Sequence, residues 1–79
     1  MLASVENVRV LQKITREYEG NKRNYILLGD GKSDVLKFRV DDQQVFDSLQ
    51  PFDMVKGVID LYIYDGRMYS AVKFIQKEQ

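Results

Sequence analysis

Two long stretches of alternating side chains, residues 54–64 and 67–76, are separated by nothing but Asp65-Gly66. Asp-Gly between such runs is the strongest short-range signal of a two-residue type I′ hairpin, because both turn residues must take positive φ. A turn this tight fixes the pairing outward from itself. It sets Tyr64 against Arg67, Ile63 against Met68, Tyr62 against Tyr69, Leu61 against Ser70, Ile59 against Val72 and Gly57 against Phe74. One face then carries Gly57, Ile59, Leu61, Ile63, Met68, Val72 and Phe74, with Ser70 its one polar member. The other carries Val58, Asp60, Tyr62, Tyr64, Arg67, Tyr69, Ala71 and Lys73. A slip of one residue would exchange the two faces, so the register is strongly specified.

Upstream, residues 8–14 alternate imperfectly, Val8, Val10 and Ile14 against Arg9, Leu11 and Lys13, which predicts a first strand running towards Tyr18 with a bulge. The polar stretch 19–24 is a turn, and Tyr25-Ile26-Leu27-Leu28 a short second strand. A second turn, rich in glycine and aspartate, covers 29–34. Val35 to Val40 alternates strictly, with Leu36, Phe38 and Val40 on the core side and Val35, Lys37 and Arg39 on the other. Asp41 and Asp42 suit a helix N-terminus, Phe46 and Leu49 share one face, and Pro51 forbids continuation, so a short helix is expected over 41–49.

Three strands, a short helix and a long hairpin predict an all-β fold: a five-stranded Greek-key barrel of the OB type, with the helix between strands three and four plugging one end. An SH3-like barrel is the main rival, and the helix decides against it. Seventy-nine residues make one domain, 1–79, with a small core that a partner subunit or ligand would help to stabilise.

The chain has no cysteine and no histidine, which removes disulfides, thiolate metal sites and the usual general base. Gly29-Asp30-Gly31-Lys32-Ser33 lacks the spacing of a phosphate-cradling loop and precedes a strand rather than a helix, so it reads as a plain turn. The acidic pairs Asp41-Asp42 and Asp30/Asp34 are explained by capping and turn formation. Neither an enzyme, nor a cofactor, nor a metal site is expected. The N-terminus reads as no signal peptide and no apolar run spans a membrane, so the expected location is the cytoplasm.

Twelve basic and twelve acidic residues cancel, yet they are unevenly placed: residues 1–40 carry a net +3 and residues 41–79 a net −3. Two surfaces emerge as candidates. Arg16, Lys22, Arg23, Lys37 and Arg39 surround Tyr25 and Leu27 on the first loop and the outward sides of strands two and three, where OB barrels take their ligands. Cations meet phosphates and an aromatic ring stacks on a base, whatever the sequence. The second surface is the tyrosine face of the hairpin, Tyr62, Tyr64 and Tyr69 with Arg67 and Lys73, which suits base stacking or a dimer interface.

The stretch Thr15-Arg16 … Lys22-Arg23-Asn24-Tyr25-Ile26-Leu27 resembles the corresponding loop and strand of the filamentous-phage single-stranded DNA-binding proteins. Val35-Leu36-Lys37-Phe38-Arg39-Val40 is similar to that family's third strand, and the terminal hairpin matches in place. The family is an OB-fold that dimerises about a two-fold axis and coats single strands cooperatively. The resemblance implies phosphate contacts at Arg16, Arg23 and Lys37, base stacking or packing at Tyr25 and Leu27, and a hairpin contribution from Tyr69. The short turn between strands two and three, the tight hairpin tip and the zero net charge depart from it.

The function expected is sequence-independent binding of single-stranded DNA, with RNA as an alternative, by a homodimer serving replication of a phage or mobile element. The competing expectation is a protein–protein interaction module with an OB or SH3-like barrel and a tyrosine-rich interface.

Overall fold

The computed structural model describes residues 1–32 and 34–78, so Ser33, inside the turn expected at 29–34, lies outside the described residues. Strands β1 (Leu2–Tyr18), β2 (Asn21–Gly29) and β3 (Val35–Val40) are followed by helix α1 (Gln43–Ser48) and strands β4 (Met54–Tyr64) and β5 (Arg67–Lys77). The strands close into a barrel in the order β1-β2-β3-β5-β4, an all-β architecture consistent with the OB type. Among the described residues no helix is long and apolar enough to cross a membrane.

The hairpin turn is built as expected: Asp65 at φ 51° and Gly66 at φ 75° give the two positive values that a type I′ turn requires. From Tyr64–Arg67 inward to Ile59–Val72 the pairing follows the expected register. Beyond it the register shifts, because Lys73 bulges out between the pairs Ile59–Val72 and Val58–Phe74. Gly57 therefore faces Ile75 rather than Phe74. The extra residue turns Phe74 outward, 53% exposed, and Ile75 into the core. Gly57 is required here all the same, since a Cβ would run into the Phe74 carbonyl and lie 2.8 Å from the Ile75 Cα. Ile63 and Met68, expected on the apolar side, are 72% and 70% exposed.

β1 starts earlier than expected and carries two irregularities. It pairs with β4 from Leu2–Asp60 to Arg9–Met54 and with β2 from Arg9–Gly29 to Tyr18–Asn21. The shift between Val10 and Gln12 reverses the expected alternation. Val10 pairs with buried Leu28 and Lys13 with buried Ile26, whereas Ile14 pairs with Tyr25 on the outer side. Lys13 reaches over the end of the barrel, its Nζ 4.4 Å from the centroid of the Phe46 ring. β2 is longer than expected because Asn21 to Asn24 continue the ladder with β1.

The core is Val10, Ile26, Leu28, Phe38, Val40, Val55, Ile59 and Ile75 from the strands, closed by Phe46 and Leu49 from the helix and its C-cap. Full burial of one such side chain contributes ~1.5–3 kcal/mol. Leu36, expected to join them, is 60% exposed, one residue in from the start of β3, where it pairs with Leu28. Asp42 alone caps the helix, its carboxylate accepting from the N–H groups of Gln44 and Val45. Asp41 is engaged elsewhere. A polar chain fastens the plug: the Thr15 hydroxyl donates to Asn24, the Asn24 amide to Gln43, and the Gln43 amide to Asp47. Asn24 is buried, and these bonds satisfy it.

Candidate nucleic-acid interface

Cross-strand register gathers one set of side chains on the outside of the barrel. Because Asn24, Ile26 and Leu28 point inward, Arg23, Tyr25 and Leu27 must point out. Arg23 lies opposite Arg16, Tyr25 opposite Arg39, and Leu27 opposite Lys37. Directly opposed like charges, as in Arg16–Arg23, destabilise a bare sheet, and a bound anion relieves them. Among the described residues Arg16, Lys22, Arg23 and Lys37 make no ion pair. Their charge is free to meet solvent or a ligand.

β3 meets β5 through one parallel pair, Arg39–Ala71. Over this seam lies an open groove of about 310 Å³, lined by Arg23, Tyr25, Lys37 and Arg39 from one side and Met68, Tyr69 and Ser70 from the other. Two aromatic surfaces flank it. Tyr25 carries the Lys37 ammonium 5.0 Å from its ring centroid. Tyr69 stacks on Tyr62 with centroids 5.7 Å apart and planes 21° from parallel. The Arg39 guanidinium sits 5.9 Å from the Tyr62 centroid, joining the two halves.

Arg39 is also the one cation of the set already paired. Its Nε donates to Asp41 Oδ1 at 2.8 Å and its Nη2 to Oδ2 at 3.3 Å. The Asp41 carboxylate, helped by Tyr62 and opposed by partial burial, holds the guanidinium above its ordinary pKa. Arg39 is a cation at every working pH. A second, more polar pocket continues from the groove around Lys22, Arg23, Arg39 and Asp41 towards Gln43.

Of the residues expected to bind nucleic acid, Arg23, Tyr25, Lys37, Arg39 and Tyr69 come together in the groove, and Lys22 lines the neighbouring pocket. Arg16 stands beside them through its pairing with Arg23, and half-buried Leu27 through its pairing with Lys37. Of the tyrosine face, Tyr62 supports Tyr69 and Arg39, while Tyr64 and Arg67 form the last pair before the hairpin tip and Lys73 occupies the bulge. None of these last three lines the groove.

Sequence reasoning missed Met68, Ser70 and Asp41. Alternation placed Met68 and Ser70 on the side away from Tyr69, but both line the groove, and the Ser70 hydroxyl donates across the seam to the Lys37 carbonyl. Asp41 left a usable signal: two residues after Arg39 on an extended chain, it emerges on the same side. Among the described residues no group of three acidic side chains is placed to hold a metal ion. No known protein family, curated protein or solved structure matches the chain.

Proposed function

We propose that this protein is a sequence-independent single-stranded DNA-binding protein of the kind a phage or mobile element employs in replication. The observation that carries the reading is the groove over the β3–β5 seam, where Tyr25 and Tyr69 face a shared opening rimmed by Arg23 and Lys37, which make no ion pair among the described residues. Aromatic rings hold bases by stacking worth ~1–3 kcal/mol each, and every base has a face to offer. Arg16, Lys22, Arg23 and Lys37 then follow the phosphates of the strand, while Leu27 gives the sugar and base edges an apolar floor beside Tyr25.

A net charge of zero is no obstacle to this reading. Single-strand affinity depends on the cations along the strand's path, and no acidic side chain is among the described residues that line the groove. The partner proposed for the hairpin tip, where Ile63 and Tyr64 are each 72% exposed and neither lines the groove, is a second copy of the chain, since one barrel leaves these side chains in water. Sedimentation equilibrium is expected to give twice the 9.3 kDa chain mass, and a monomer at micromolar concentration removes the dimer.

Binding of fluorescent oligo-dT across a salt series tests the function. Four phosphate contacts give a slope of about −3 for log K against log [salt]. A flat salt response, or no binding at about 50 mM salt, defeats the proposal and leaves the protein–protein interaction module in its place. Oligo-dU and oligo-U in parallel separate DNA from RNA, because these two differ only in the 2′-hydroxyl.

A further inference from the structure

Resting on the single-strand reading, we propose that Asp41 is a built-in competitor of the ligand: its carboxylate occupies, on Arg39, the place that a backbone phosphate takes when a strand enters the groove.

The geometry supplies the reasons. Arg39, like Arg23, belongs to both openings, lining the aromatic groove and the polar pocket beside it. Asp41 engages it through two donors, Nε and Nη2, the fork arrangement with which an arginine holds a phosphate. The carboxylate comes from the same strand end, two residues away, and shares the polar pocket with Lys22 and Arg23. A carboxylate that sits beside three cations yet pairs with one of them is positioned as a substitute anion. It does no work in the helix cap, which Asp42 provides alone. The Asp41 side chain is 67% exposed and the Arg39 side chain 30%, so the acid can swing into water while the guanidinium stays packed near Tyr62. Exchange of one anion for the other leaves Arg39 paired throughout.

Two consequences follow for binding. An entering phosphate must displace Asp41, which subtracts from affinity. Arg39 also contributes no net counterion release, because the freed carboxylate gathers a cation as the phosphate gives one up. The device keeps the groove from holding stray anions tightly while leaving an arginine ready for a strand that also offers bases to Tyr25 and Tyr69.

The test is a double-mutant cycle read with oligo-dT over a salt series. Asp41→Asn is expected to tighten binding roughly two- to fivefold, the range set by exposed ion pairs. It is also expected to steepen the salt slope by about 0.7, one further phosphate contact. In the Arg39→Gln background the same Asp41→Asn change is expected to alter neither quantity. Equal tightening in both backgrounds means that Asp41 acts only as a distant negative charge, and overturns the inference while the single-strand reading stands. Weaker binding by Asp41→Asn means that the acid positions Arg39 for the ligand, and overturns it as well. Failure of the wild type and of Asp41→Asn alike to bind oligo-dT defeats the single-strand reading, and the inference with it. Urea midpoints of the four proteins separate these outcomes from loss of fold.

Discussion

The barrel closes along two seams of unequal strength. β1 and β4 pair from Leu2–Asp60 to Arg9–Met54, whereas β3 and β5 meet at the single parallel pair Arg39–Ala71. At the first seam main-chain groups answer one another along both strands, and its β4 strand is pressed on the other side against β5, where Phe74 and Ile75 leave Gly57 no room for a Cβ. At the second seam few main-chain bonds cross, the Ser70 hydroxyl reaches the Lys37 carbonyl only at 3.4 Å, and a groove remains. Backbone groups that no neighbouring strand satisfies must turn to side chains or solvent. The loosely closed seam is therefore where a ligand can be received without dismantling the sheet, and the candidate site lies over it.

The largest effect is expected at Gly57, on the β4 strand that the first seam holds and that β5 crowds from the other side. Gly57→Val is expected to cost about 3 kcal/mol, the upper end for overpacking, seen as a lowered urea midpoint. An unchanged midpoint would show that β4 is not pressed against β5 at this point. Tyr25→Ala should act in the opposite sense, on binding rather than folding. Oligo-dT affinity should fall about thirtyfold for the loss of ~2 kcal/mol of stacking. The same change should cost less than about 1 kcal/mol of stability, the scale of one cross-strand pair. A destabilised protein that binds as before would make this face structural. The smallest effect is expected at Ser70. Because its hydrogen bond is long, Ser70→Ala should change stability by less than about 0.5 kcal/mol. A larger loss would mean that side chains hold the second seam more firmly than its geometry suggests.

Alternation made much of this legible. The bounds of β3, the helix after it, the turn at Asp65-Gly66 and the outer hairpin register all follow from spacing in the sequence. So does the outward set Tyr25, Lys37 and Arg39, because its members lie on strands whose inward neighbours are unmistakably apolar, whereas Arg23, expected in the turn over 19–24, joins them because β2 begins at Asn21. The departures share a physical origin. A bulge adds one residue to one strand, and a run such as Val72-Lys73-Phe74-Ile75 looks equally sound with or without it until the partner strand is known. The same holds at Leu11, where the shift sends Lys13 over Phe46 and Ile14 outward. Leu36, Ile63 and Met68 obey the alternation yet are largely exposed, since each is the second residue from the end of its strand. Asp41 was masked by Asp42, because two adjacent aspartates before a helix invite one explanation for both.

β1 changes partners at Arg9, which faces Met54 on one side and Gly29 on the other. This arrangement governs the order of assembly. The β1–β2 and β4–β5 hairpins join residues near in the chain and can form early, each about its own turn. The first half of β1 must wait for β4, some fifty residues later, and loop closure over that distance has to precede the contacts that reward it. Until it docks, that half-strand and the facing rim of β4 are unpaired edges of the sort that recruit other chains. The strand that gives the folded barrel its strong seam is thus its point of exposure during synthesis, and the interval before closure is when self-association has its opportunity.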